Sequence, residues 1–249
     1  MRTLLILFFC LFSMLYGEVY YSFGNVQLNY LDWSESTQKR VKLERDYFYI
    51  TLEGGIGGSF GELYGNANLE NAHKDYKEDA PFNRRYSTFV DYDFPFYNEI
   101  RLHMQNFHLD TYSYKVNDFV IGIAYKYKAA SGFWIRPFLG FHKTDDTYFN
   151  GWNGYMAGWV FDLPFELKGE KFSLGQWNEI EFGRNKSFYL LDDGTPVGDG
   201  ESYGLNGALC MWWYAHVHIT AGLQYRYALY KLGNRAYQSA VIYTMKYNF

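Results

Sequence analysis

The last nine residues, Val241-Ile242-Tyr243-Thr244-Met245-Lys246-Tyr247-Asn248-Phe249, alternate between large apolar and polar side chains up to the final residue. Successive side chains of a strand point to opposite faces. Val241, Tyr243, Met245, Tyr247 and Phe249 therefore share one face, and Thr244, Lys246 and Asn248 the other. The same period recurs upstream. Val217, Ile219, Ala221, Leu223, Tyr225 and Tyr227 oppose His218, Thr220, Gln224 and Arg226, and Phe119, Ile121, Ile123, Tyr125 and Tyr127 oppose Gly122, Ala124, Lys126 and Lys128. Ile100, Leu102 and Met104 stand against Arg101, His103 and Gln105, and Phe133, Ile135, Leu139 and Phe141 against Arg136 and His142. A chain written this way folds into many short two-faced strands. A soluble sandwich turns the apolar face inward, whereas a membrane barrel turns it to lipid and keeps the polar face for its lumen.

Three further features favour lipid. Met1-Arg2-Thr3 followed by an apolar run from Leu4 to Tyr16 and then Gly17 has the layout of a secretory signal peptide, so residues 1–17 are expected to be a leader and 18–249 one mature domain. That run is too short for a spanning helix, which needs about 20 apolar residues, and no later stretch reaches this length without charge or glycine. Aromatics reach 22%, with 26 Tyr and 7 Trp, an excess that suits the belts where a membrane protein meets both hydrocarbon and water. Cys10 lies within the leader without a lipoprotein box, and Cys210 is then the sole mature cysteine, so no intramolecular disulfide staples the fold.

Periodic segments fall near 20–31, 44–54, 59–70, 84–94, 98–109, 116–128, 131–143, 152–164, 171–184, 201–212, 215–230 and 236–249. Their connections alternate long and short, as in outer-membrane barrels, and an even strand number puts both termini on the periplasmic side. The expected fold is thus an all-β, antiparallel up-and-down transmembrane barrel of about twelve strands, located in the outer membrane of a Gram-negative cell among its lipid and lipopolysaccharide. A net charge of −4 with both signs scattered leaves no basic stripe for nucleic acid.

Local motifs yield little chemistry. The run Gly54-Gly55-Ile56-Gly57-Gly58-Ser59 lacks the ending of a phosphate loop and reads as a turn. His216 and His218 share a strand face, but no carboxylate or cysteine is placed beside them, so no metal or cofactor is expected. Asp192, Asp193, Asp199 and Glu201 match no calcium loop and read as a solvated loop. His142 with Thr144, and His218 with Thr220, are spaced for a hydrolase that would act on lipid, yet no Gly-x-Ser-x-Gly elbow accompanies them. No catalytic residue is assigned.

The inner-face inventory carries more. Tyr47, Tyr49, Tyr64, Asn66, Phe89, Asp91, Asp93, Arg101, His103, Gln105, Lys126, Trp134, Arg136, His218, Arg226 and Lys246 mix both charges with aromatic rings. Paired charges would plug a closed structural or adhesin barrel. Aromatic platforms with polar groups suit a channel for small amphipathic solutes.

Asp46-Tyr47-Phe48, Phe60-Gly61-Glu62-Leu63-Tyr64-Gly65, Trp152-Asn153-Gly154-Tyr155 with Phe161 and Pro164, and the closing Tyr247-Asn248-Phe249 together resemble the nucleoside-specific channel family (Tsx-like), in order and approximate spacing from about residue 44 to 249. Ahead of the tail, Arg235-Ala236-Tyr237-Gln238-Ser239 stands where the family carries Trp-Gly-Gly-Tyr. The resemblance implies a monomeric twelve-stranded barrel with a narrow pore that passes nucleosides along rings of lumen aromatics and ionisable residues.

Overall fold

In the computed structural model, residues 17–42, 45–77 and 83–249 are described, so nearly all of the expected leader lies outside them. Twelve strands run in chain order: β1 (Val19–Trp33), β2 (Tyr47–Gly58), β3 (Gly61–Glu70), β4 (Arg85–Tyr97), β5 (Ile100–Asp110), β6 (Lys115–Tyr125, continued by Tyr127–Lys128), β7 (Trp134–Asp146), β8 (Asn150–Leu167), β9 (Glu170–Phe182), β10 (Tyr203–His216), β11 (Ile219–Leu229) and β12 (Gln238–Asn248). Each pairs antiparallel with its neighbours in sequence, and β1 pairs with β12 from Asn25↔Asn248 to Trp33↔Ala240, which closes the ring. Closure leaves no open edge, the condition for a sheet to sit in hydrocarbon, where an unsatisfied backbone group costs several kcal/mol. All twelve periodic segments form strands, with ends displaced by a few residues.

The seam is reinforced at both ends. The Phe249 N–H donates to the Gly24 carbonyl at 3.1 Å. The Phe249 ring lies over Gly24 so closely that an added Cβ would sit 2.6 Å from it. At the opposite end, a one-and-a-half-turn helix α1 (Glu35–Arg40) is capped by Ser34, whose Oγ accepts from the Thr37 N–H. Ser34 N–H and Thr37 Oγ1 both donate to the Ser239 carbonyl, which ties the β1–β2 connection to the start of β12.

The outer wall shows the expected inversion. Leu28, Ile50, Leu52, Ile123, Leu139, Leu209 and Leu223 are exposed and form an aliphatic band. Exposed aromatics flank it, with Phe96, Tyr97, Tyr127, Tyr247 and Phe249 at the short-turn end and Tyr112, Tyr148, Trp152, Tyr203 and Tyr237 at the other. This is the apolar band and double aromatic girdle of an outer-membrane barrel. No helix is long and apolar enough to cross a membrane. The two termini of the barrel and the short turns share one end, while β1, β3 and β9 end, and β2, β4 and β10 begin, at the other.

The glycine run departs from expectation. Gly54, Gly55, Gly57 and Gly58 belong to β2, and the turn falls at Ser59 and Phe60. Gly55 and Gly57 lie beneath rings of β1, where a Cβ would meet the Phe23 ring at 2.5 Å and the Tyr21 ring at 2.3 Å. These two glycines therefore make room for aromatic side chains of β1 rather than for a reversal of the chain. Leu139 is 48% exposed near the middle of β7. Leu139→Arg is expected to destabilise the folded barrel by about 2–4 kcal/mol in denaturant titrations from lipid vesicles.

Candidate functional site: the barrel lumen

Inward side chains of the twelve strands meet in a narrow interior, and most inward charges there have a partner on another strand. Near the short-turn end, Lys126 pairs with Glu62 and lies 5.4 Å from the Trp134 ring centroid. On the opposite wall, Lys246 Nζ lies 3.1 Å from Glu53 Oε2 and 3.9 Å from the Trp212 ring centroid. Glu53 is further held by Tyr64 OH at 2.7 Å and Asn25 Nδ2 at 3.0 Å. A ladder of amides and hydroxyls continues along this wall, with Asn66, Asn68, Thr51, Asn29 and Thr244 linked in succession.

Mid-lumen, β4, β5 and β7 build a fully buried cluster. Arg136 spans Asp91 and Asp93, one nitrogen to each carboxylate. His103 Nδ1 lies 2.8 Å from Asp93 and 3.5 Å from Asp91, and its ring stacks on Phe138 at 4.4 Å. Asp91 and Asp93 share a face because they stand two apart on a strand, which makes a single guanidinium able to bridge both. Beside this cluster, Gln105 Nε2 on β5 reaches Glu179 Oε1 on β9 at 2.5 Å. With Val120, Ala124 and Met156 buried next to it, this contact narrows the interior between β5 and β9.

The long-loop end carries a second network. Arg184 donates to the carbonyls of Glu201, Tyr203 and Tyr230 and pairs with Glu181 at 2.7 Å and Asp199 at 3.3 Å, drawing the 183–202 connection against the barrel mouth. Lys231 pairs with Glu181 and lies 3.9 Å from Asp118. Asp199 thus departs from the solvated loop expected for it; burial raises its carboxyl to about 6 although Arg184 opposes the shift. Asp192 and Asp193 are exposed.

Tyr47, Tyr49, Tyr64, Phe89, Asp91, Asp93, Arg101, His103, Lys126, Trp134, Arg136, Arg226 and Lys246 take the inward parity anticipated for them. Arg101 sits at the short-turn end, donating to the Asn98 carbonyl. His218 is a correction: it lies in the two-residue turn after β10, exposed, with Nδ1 3.0 Å from the Asn248 carbonyl and its ring stacked on Tyr247. The reversal of the chain at Val217 and His218 breaks the alternation on which its inward assignment depended, and with it the shared strand face with His216. Sequence reading passed over Tyr21, Phe23, Glu53, Glu62, Trp177, Trp212, Glu179 and Glu181. The period-two signal extends to those outside β9, since Glu53 stands two beyond Thr51 and Phe23 two before Asn25; in 171–184 polar Gln176 and Asn178 flank Trp177, and the imperfect alternation leaves the facing of Trp177, Glu179 and Glu181 unread.

Neither hydrolase pair is arranged for catalysis. Thr144 Oγ1 donates to Asp118 Oδ1 at 2.7 Å, and both Asp118 and Thr144 lie on the same His142 nitrogen, Nε2. A relay needs the acid on one ring nitrogen and the nucleophile on the other. Thr144 also faces the lumen and is buried, out of reach of a lipid chain. Thr220 instead accepts from Asn248 Nδ2. Two groups have metal-like spacing, Asp91 with Asp93 and His103, and Asp118 with His142 and Glu181. Arg136 and Lys231, respectively, already supply their positive charge.

Arg136→Ala leaves two buried carboxylates without their cation and is expected to cost about 3–5 kcal/mol. Adding Asp91→Asn and Asp93→Asn should recover much of that loss. Denaturant midpoints of the single, double and triple variants measure this coupling, and strictly additive losses would remove the cluster as a unit.

A family model described as nucleoside-specific channel-forming protein, Tsx, matches residues 28–249. Among solved structures, the NanC porin aligns over 89% of this chain and 98% of its own at 8% identity, with a TM-score of 0.53, a likeness of fold alone. LpxR from Salmonella typhimurium aligns over 90% of this chain and 99% of its own at 9% identity, with a TM-score of 0.46.

Proposed function

Because the chain belongs to the family of nucleoside-specific channel-forming proteins, Tsx, and is an outer-membrane β-barrel channel, we propose that its permeant solutes are nucleosides. The observation that carries this reading is the combination of that family match with a lumen in which aromatic rings alternate with charges already neutralised by one another. Tyr64 and Phe89 stand 6.0 Å apart by ring centroid, and Trp134 and Trp212 lie beneath Lys126 and Lys246. A nucleoside presents a flat base for such rings and ribose hydroxyls for the carboxylates and amides between them. Paired charges hold no strong field for a neutral solute to oppose. Successive weak contacts let it move down its gradient without being trapped.

In this reading Tyr47, Tyr49, Tyr64, Phe89, Trp134 and the ion pairs around Asp91, Asp93, Lys126, Arg136 and Lys246 form the conducting surface, and no step is chemical. Residues 1–17 are removed on export. The short turns and both ends of the mature chain face the periplasm, and the long connections face outward among lipopolysaccharide headgroups. One chain forms one channel, since the ring closes on itself without a partner's strand. A closed structural barrel is the alternative that the same paired charges would serve.

Liposome swelling separates the two. The refolded protein is expected to admit uridine and adenosine faster than a disaccharide. Trp134→Ala and Phe89→Ala should each change the nucleoside rate several-fold while the folded, heat-modifiable band on gels persists. Swelling unaffected by either change would remove these rings from the path, and no swelling with any solute would favour the closed barrel.

A further inference from the structure

Apart from the exposed Lys128 and Lys171 at the short-turn rim, the cations on the inner wall among the described residues are committed to protein acceptors with one exception. Arg85 holds Glu70 at 2.9 Å, Arg136 holds Asp91 and Asp93, and Arg101 holds the Asn98 carbonyl. Lys126 and Lys246 hold Glu62 and Glu53. Arg226, inward on β11, makes no hydrogen bond or ion pair among the described residues, and its Nε is buried without an acceptor. An uncommitted buried donor of this kind is costly to keep unless something else uses it.

Two further unused donors face it. Tyr47 and Tyr49 point inward from β2 with ring centroids 5.8 Å apart, and neither hydroxyl has a hydrogen-bond partner among the described residues. Strands β11 and β2 are separated by β12 and β1, a quarter of the way round a twelve-strand ring, so their inward side chains converge across the lumen. The surface between them is apolar: Leu31, Trp33, Ala240 and Ile242 form a buried cluster against which both tyrosines pack. Ala240 and Ala208 are the cross-strand neighbours of Arg226, and their short side chains leave the guanidinium uncovered on both flanks. Glu70, the cross-strand partner of Tyr49, is held by Arg85, whose guanidinium also lies 5.1 Å over the Tyr47 ring.

We propose that Arg226, Tyr47 and Tyr49 form a subsite for an anionic oxygen, phosphate or carboxylate, carried by a solute whose ring lies against the tyrosines and the apolar floor. The inference rests on reading the barrel as a solute channel, and it extends the solute class from neutral nucleosides to their anionic relatives. Chemistry favours this occupant because the unused charge is a guanidinium fork with two phenol donors facing it, while the unused acceptors diagonal to Arg226, Asn206 Oδ1 and Gln238 Oε1, are neutral amides and no carboxylate there is unused among the described residues. Charge-assisted bonds to an oxyanion are the strong kind that such donors make. A neutral nucleoside would leave the Arg226 charge unmatched as it passes.

The test is block of single-channel current in planar bilayers by four probes: uridine, uridine 5′-monophosphate, glucose and glucuronate. In the wild-type protein, half-block by uridine monophosphate is expected at a concentration at least about ten-fold below that of uridine. Arg226→Gln should bring the two within about two-fold while open-channel conductance shows the barrel folded, and Arg226→Lys should keep most of the preference. Glucuronate exceeding glucose by a similar factor would extend the subsite to carboxylates; preference for the phosphate alone would confine it to phosphate. Equal block by uridine and its monophosphate, or a preference that survives Arg226→Gln, overturns the subsite and leaves the nucleoside reading standing. Block by the anionic probes without block by uridine does the reverse.

Discussion

Hydrocarbon offers the peptide backbone no hydrogen-bond partner, and this single constraint organises the molecule. A sheet survives there only if its first and last strands pair, and in this protein β1 and β12 do so from Asn25↔Asn248 to Trp33↔Ala240. The chain commits specific chemistry to that seam: the Phe249 ring over Gly24 at one end, and Ser34, Thr37 and Ser239 at the other. Once the ring is closed the alternation of side chains has only two destinations, lipid and lumen. Leucine, isoleucine and the aromatic belts take the first, and every inward charge has to be accommodated in the second.

The lumen meets that demand mostly by pairing charges. Lys246 with Glu53, Lys126 with Glu62, Arg85 with Glu70 and Arg136 with its two aspartates neutralise one another across neighbouring or facing strands. A buried pair of this kind contributes little net stability compared with an apolar core, and breaking one is expensive because it leaves a charge alone. Its value is in the surface it makes: polar enough for water and hydroxyls, without the dominant sign that would hold or repel an ionic solute. Rings at Tyr64, Phe89, Trp134 and Trp212 interrupt that surface, the lining on which the proposed passage of flat, hydroxyl-bearing solutes rests. Arg226 stands outside the pattern, which gives the long-loop end of the path a different character from the rest.

Much of this was legible in the chain because a strand writes its facing directly into alternate positions. All twelve strands, the greasy outer face and the inward placement of residues such as Asp91, Asp93 and Arg136 follow from parity. What parity cannot supply is which inward groups meet. Lys246 and Glu53 are separated by 193 positions and are brought together only by the seam. Parity also fails where the chain leaves the ladder: His218 lies in a reversal, and Asp199 is pulled inward by Arg184 from a connection that reads as solvated. The glycines of β2 misled for another reason, since their local signature of a turn is overridden by the rings of Tyr21 and Phe23 that need the space.

The central claim is that the closed ring surrounds a path through which small neutral solutes move. The most direct measurement is the single-channel current of the refolded full chain in a planar bilayer, recorded with and without uridine on the side of the long connections. Discrete ohmic steps, reduced as uridine enters and restored when it is washed out, are the predicted result. A barrel that is folded by its heat-modifiable gel shift yet passes no current would contradict the account, and the paired charges of the lumen would then be those of a closed structural wall.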